Sequence, residues 1–142
     1  KKIGSTHIIN SSKEDPYKVI ESILGPNKLD VFIDNTGIPE VIENGFSLIK
    51  NDGKLILVGV PKKGNNINIF SLPLHFGKVI TGSHGGECNP EKDIPRYLNH
   101  IKAKNLNIKE IISKTYNIEE INEAINSMKK GETAGRVLVI FN

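Results

Sequence analysis

The sequence holds one cysteine, Cys88, in 142 residues. An intrachain disulfide is thereby excluded, and such sparing use of cysteine fits a reducing cytoplasm. No apolar run approaches the ~20 residues that a membrane-spanning helix needs. The N-terminus lacks the basic, then apolar, then small-residue succession of a signal peptide. Internal repeats and low-complexity tracts are missing. The formal charge of +3 is mild, and lysine and arginine are scattered along the chain, so no nucleic-acid face is expected.

Three motif classes are absent as well. No Gly-x-Gly-x-x-Gly opens a helix, and no Gly-x-x-x-x-Gly-Lys-Ser/Thr is available to cradle a phosphate. No Gly-x-Ser-x-Gly elbow presents a serine nucleophile. The chain also opens without methionine. Lys2-Ile3-Gly4 reads as a helix C-terminus, with a cation at the negative end of the dipole and glycine just beyond it. A chain that starts on a helix tail is expected to have lost what preceded it.

What is present is an ordinary soluble composition, 37% hydrophobic and 25% charged, long enough to bury a core. Its organising stretch is Leu29 to Pro61. Val31 to Ile33 is a short apolar run that ends in the turn signal Asn35-Thr36-Gly37. Pro39 stands where a first-turn proline belongs. Val41, Ile42, Gly45, Phe46, Leu48 and Ile49 follow at helical spacing, and Asn51-Asp52-Gly53 is expected to stop that helix. Lys54 to Val60 is too continuous for a half-exposed strand and predicts a parallel strand covered on both faces. The unit is strand, helix, strand. In such sheets, ligands bind beyond the C-terminal strand ends, here Asn35-Thr36-Gly37 and Val58-Gly59-Val60.

The flanks extend this α/β pattern. Thr6 to Asn10 is a strand candidate, and Asp15-Pro16 opens a helix whose face is Tyr17, Ile20 and Leu24. Ile67 to Phe70 reads as a short edge strand, Leu72 to Phe76 as a short helix or turn, and Lys78 to Ser83 as a further strand. A helix begins at Asn89-Pro90 and carries Ile94, Leu98 and Ile101. Thr115-Tyr116 is expected to be extended. Asn117 caps a last helix, with Glu119 and Glu120 in its positive first turn and Ile121, Ala124, Ile125 and Met128 as its buried face. Val137 to Phe141 is the final strand.

Few residues could carry chemistry. His84 stands at a strand end beside Gly85-Gly86, where a bare backbone admits a ligand; it is either a ligand contact or a loop histidine. His84 and Cys88 have no second ligand pair nearby, which argues against a metal site. His75, between Leu74 and Phe76, reads as a packing residue, and His7 and His100 as surface positions. Asp34 could orient a ribose or cap a helix, and the structural role is the better reading. Arg136, after Gly135, could pair with a phosphate or be a surface arginine.

Taken together, Asp30 to Gly37, Gly53 to Pro61, Gly82-Ser83-His84-Gly85-Gly86 and the closing Gly131 and Gly135-Arg136-Val137 occur in a familiar order. They resemble the C-terminal half of zinc-type alcohol dehydrogenases of the medium-chain dehydrogenase/reductase superfamily. No single motif is specific; the order and spacing carry the resemblance over the whole chain. It implies an α/β fold, a partial doubly wound, Rossmann-type parallel sheet that lacks its first strands. Residues 1–84 would be the second part of the dinucleotide-binding domain, and 85–142 would return to the catalytic domain. It also implies a coenzyme, NAD or NADP, and zinc in the complete protein. Thr36 and Gly37 would lie near the adenosine ribose, the Val58 carbonyl and the Gly82, Ser83 and His84 backbone near the nicotinamide amide, and Arg136 at the pyrophosphate.

The zinc ligands, the proton relay and the glycine fingerprint of that family would precede Lys1, so no catalytic or metal residue is assigned here. The expected activity is hydride transfer between an alcohol or aldehyde and nicotinamide. A stand-alone, non-catalytic nucleotide-binding or assembly module is the competing reading. A homodimer, or a dimer of dimers, is expected through the Lys78 to Ser83 edge, next to the apolar Ile67, Ile69, Leu72, Leu74, Phe76 and Val79. If two strands are missing, Thr6 to Asn10 should stand apart from Val31 to Asp34 rather than pair with it.

Overall fold

The computed structural model describes residues 4–141; the expected helix tail at Lys2-Ile3 lies outside them. Two compact units divide the chain, Ser5–Asn89 and the stretch from Pro90 on.

The first unit is built on three parallel strands in the order β1-β2-β3. Helix α1 (Pro16–Leu24) begins where Asp15 accepts hydrogen bonds from the Tyr17 and Lys18 N–H groups, with Pro16 in its first turn. A carboxylate there satisfies donors that the helix cannot. Strand β1 (Leu29–Asp34) follows, then helix α2 (Pro39–Leu48). The predicted apolar face of α2 is the buried one: Ile42, Gly45, Phe46 and Leu48. Gly45 is required for packing. A Cβ there would lie 2.6 Å from the Phe32 ring, so only glycine lets β1 and α2 approach this closely. Ile42, Phe46, Ile49 and Leu55 form the core, with Leu29, Phe32, Leu57, Ile69 and Ile80 against it. Each such side chain stabilises by about 1.5–3 kcal/mol when fully buried.

Strand β2 runs Ile49–Leu57 and β3 runs Val79–Gly82. The helix stop expected at Asn51-Asp52-Gly53 is corrected: the chain turns extended directly after Leu48, and the polar triplet lies inside β2. Ile49 is 1% exposed, and burying it draws the strand start forward. The register shift between the Leu29↔Ile49 and Val31↔Lys54 pairs absorbs the extra residues. α2 packs on β1 and β2. Val31 and Ile33 stay exposed, so β1 is not covered on both faces by the described residues.

Two expected strands do not form. Thr6 to Asn10 has no ladder, because β1 pairs only with β2 and leaves its outer edge open among the described residues. Asn10 instead closes a turn, accepting from Ser12 and Lys13. No ladder joins the segment to Phe32 or Ile33 among the described residues. Ile67 to Phe70 is no edge strand either; the Asn68 N–H bonds the Glu43 carboxylate at 2.7 Å instead of a ladder carbonyl. Leu72–Phe76 is a short 3-10 turn, as expected.

The second unit holds helix α3 (Pro90–Ala103), strand β4 (Ile112–Asn117), helix α4 (Ile121–Lys129) and strand β5 (Arg136–Ile140). β4 and β5 form their own two-stranded parallel sheet. The Glu120 carboxylate reaches back to the Asn117 N–H at 2.8 Å, opening a 3-10 turn that runs into α4. The buried face of α4 is corrected to Ala124 and Ser127; Ile125 and Met128 stay 42% and 57% exposed. A two-stranded sheet covers too narrow a stripe to bury them. No helix among the described residues is long and apolar enough to cross a membrane.

Candidate functional site

The parallel strands bring their C-terminal ends to one side of the first unit, and Asp34 organises them. It is the last residue of β1 and is 1% exposed. Its carboxylate accepts from the Thr36 N–H at 3.0 Å, the Thr36 hydroxyl at 2.6 Å and the Gly37 N–H at 2.9 Å. Its backbone carbonyl accepts from the Val58 and Gly59 N–H groups at 2.8 and 2.9 Å. Burial is the largest single influence on this carboxyl and acts to raise its pKa. The three donors together outweigh it and hold Asp34 below the usual carboxylate range. Asp34 is thus charged and tied to both turns, which settles its structural role.

The Thr36 hydroxyl passes the order on, accepting from the Ile38 N–H at 3.1 Å where α2 begins. Gly37 is buried with φ +67, a left-handed conformation that favours glycine. Gly59 packs backbone to backbone on Asn35, Thr36 and Gly37. At the end of β3, the Ser83 N–H donates to the Leu57 carbonyl at 2.9 Å, which joins this strand end to β2. The Ser83 hydroxyl accepts from the Gly86 N–H at 3.1 Å. Gly85, Gly86 and Glu87 follow with φ of 62, 67 and 51, a left-handed turn. A Cβ on Gly82, Gly85 or Gly86 would meet nothing within 4 Å, so this backbone is bare and open. A cavity of about 470 Å³ lies beside β2's end, lined by Ile42, Leu57, Gly59, Pro61 and the Asn65-Asn66-Ile67 loop.

Six of the seven expected contacts therefore lie in the first unit: Thr36, Gly37 and Val58 at the joined ends of β1 and β2, Gly82, Ser83 and His84 at the end of β3. Arg136 belongs to the second unit, where it opens β5 with its side chain exposed. His75, expected to pack, is exposed on the uncovered 3-10 turn. Among the described residues, no three His, Cys, Asp or Glu side chains could hold a metal ion. For Asp34 the structural role expected from the sequence is the one observed, whereas the packing role of Gly59 was not foreseen. Asp34 carried a signal, since an aspartate with Thr two and Gly three residues on has the spacing of a local side-chain turn. Gly59 carried none, because its partner lies more than twenty residues back.

A family model described as zinc-binding dehydrogenase matches residues 1–103. "Alcohol dehydrogenase-like 5" of Arabidopsis thaliana is 29% identical over 97% of this chain and 36% of its own length. The L-threonine 3-dehydrogenase of Pyrococcus furiosus is 32% identical over 99% of this chain and 40% of its own. Among solved structures, benzyl alcohol dehydrogenase from Acinetobacter calcoaceticus superposes with a TM-score of 0.80 at 29% identity, covering 97% of this chain and 37% of that one. The chain thus spans roughly two-fifths of the length of the relatives it matches.

Proposed function

This chain belongs to the zinc-binding dehydrogenase family, and from that premise we propose that it supplies part of the coenzyme site of an NAD(P)-dependent alcohol dehydrogenase. The observation that carries this reading is the set of three parallel strand ends, two of them welded by Asp34 and the third ending in bare glycine backbone. Such ends are where an open α/β sheet receives a nucleotide. Thr36 and Gly37 face the adenosine ribose. The Val58 carbonyl and the Gly82-Ser83-His84 backbone take the nicotinamide amide, and Arg136 takes the pyrophosphate. Bound nicotinamide exchanges a hydride with an alcohol or aldehyde carbon; these residues bind and orient it. The described residues offer no ligand set that fits zinc.

In the same reading, residues 1–84 belong to the dinucleotide-binding domain and 85–142 to the segment that returns to the catalytic domain. The outer edge of β3, with the exposed Leu72, Leu74, Phe76 and Val79 next to it, pairs with a second copy across a two-fold axis. The single, exposed Cys88 suits the reducing cytoplasm. Fluorescence titration of the native protein with NADH and with NADPH tests the proposal. Saturable binding of one of them is expected; binding of neither overturns it.

A further inference from the structure

Lys28, Lys50 and Lys78 gather at the other end of the sheet. Lys28 precedes β1, Lys50 is the second residue of β2, and Lys78 precedes β3. Because the strands are parallel, all three stand at N-terminal strand ends, away from the turns at Thr36 and Val58. Helix α2 finishes here. Its Phe46 carbonyl accepts from the Lys78 ammonium at 2.8 Å, and its Ser47 carbonyl accepts from the Lys28 ammonium at 2.9 Å. Two ammonium groups thus converge on consecutive carbonyls. A cavity of about 310 Å³ opens at this point, lined by Lys28, Ser47, Ile49, Lys50, Asn51 and Lys78.

Three ammonium groups line this cavity against the two carboxylates of Asp30 and Asp52, which leaves one positive charge without a counter-charge. Lys50 is paired with Asp30 at 2.7 Å and Asp52 at 3.5 Å. Among the described residues, neither Lys28 nor Lys78 has a carboxylate partner. Lys78 is 8% exposed, and its ammonium also sits 4.5 Å over the Phe46 ring. Helix-end carbonyls and a ring face ease the burial of a cation, but together they carry less than one full negative charge. Burial draws Lys78 below the ordinary lysine range, and repulsion from Lys28 adds to it. A desolvated cation beside a like charge is costly unless a counter-ion joins it.

We propose that this cavity is an anion site that binds a phosphate group, free or carried on a small metabolite, between the Lys28 and Lys78 ammonium groups. A singly charged phosphate offsets that one positive charge, and lysine binds phosphate as a point charge. The site lies within one unit and does not depend on the coenzyme reading.

Thermal unfolding of the native protein provides the test, since a ligand that binds only the folded state raises Tm by mass action. Inorganic phosphate is compared with chloride at matched ionic strength, in the parent and in Lys28→Gln and Lys28→Arg. Lys28 is exposed, so these changes leave the core intact. A rise of Tm specific to phosphate is expected. Lys28→Gln should raise the phosphate concentration needed by about tenfold, the scale of one charge-assisted hydrogen bond, while Lys28→Arg should stay near the parent. Ribose 5-phosphate serves as the second probe. Action at lower concentration than inorganic phosphate assigns the site to a phosphorylated metabolite, and equal potency assigns it to the free ion. No phosphate-specific rise in the parent overturns the proposal. So does an equal rise in Lys28→Gln, which would mean an adventitious ion only.

Discussion

The backbones of Gly37 and Gly59 lie in contact where β1 and β2 end. A Cβ on Gly59 would strike the Gly37 N–H, and one on Gly37 would come within 2.7 Å of the Val60 carbonyl carbon. The two strand-end turns are therefore one surface, and the geometry of either depends on the other. A Gly59→Ala change should cost about 1–3 kcal/mol by overpacking. Urea unfolding reads this as a lower midpoint at unchanged slope; a midpoint equal to the parent's would mean that the turns move independently.

Asp34→Asn should destabilise the protein by about 1–3 kcal/mol. The amide keeps one oxygen for Thr36 but turns a donor toward the Gly37 N–H, which now bonds the second carboxylate oxygen. The pH dependence follows from the sign of the shift. Asp34 is held below its ordinary value of 3.8, so its contribution is present above that pH and is lost as pH falls through the lower folded value. Stability curves of parent and Asp34→Asn, recorded by circular dichroism, should differ at neutral pH and converge below about 4. A gap that persists unchanged into acid would show that the carboxylate's charge is not what holds the turn.

Arg136→Ala should weaken coenzyme binding by about 1.5–3 kcal/mol, the scale of a hydrogen bond to a charged group. Its side chain is exposed at the start of β5, so folding should be little affected. Titration with NADH and NADPH checks this, and an unchanged Kd would return Arg136 to the status of a surface arginine.

Light scattering of the native protein at micromolar concentration should give a dimer. Phe76→Glu should shift it to monomer, because Phe76 is 72% exposed beside the open edge of β3. A parent that is already monomeric would remove the edge-pairing proposal.

Much of this was legible in local sequence because the determinants are local. Asp15-Pro16 and Pro39 start helices through backbone chemistry confined to one turn, and the α2 stripe is a matter of spacing. The runs at Val31 and Val79 became strands, and the strand-end turns appeared where the chain placed Asn35-Thr36-Gly37 and Gly82-Ser83-His84. The motif order was enough to identify the family that the match over residues 1–103 supports.

Tertiary structure decided whatever needed a distant partner. Thr6 to Asn10 has strand-like residues but no neighbour to share a ladder with, and an unpaired strand has no reason to persist. Asn51-Asp52-Gly53 reads as a helix stop, yet burial of Ile49 puts it inside a strand. Gly59 became indispensable only when the turn at Gly37 folded onto it. Lys28 and Lys78 are unremarkable surface-type residues in sequence. They meet at the end of α2 because parallel pairing brings the starts of β1 and β3 to one end of the sheet, and no spacing along the chain encodes that.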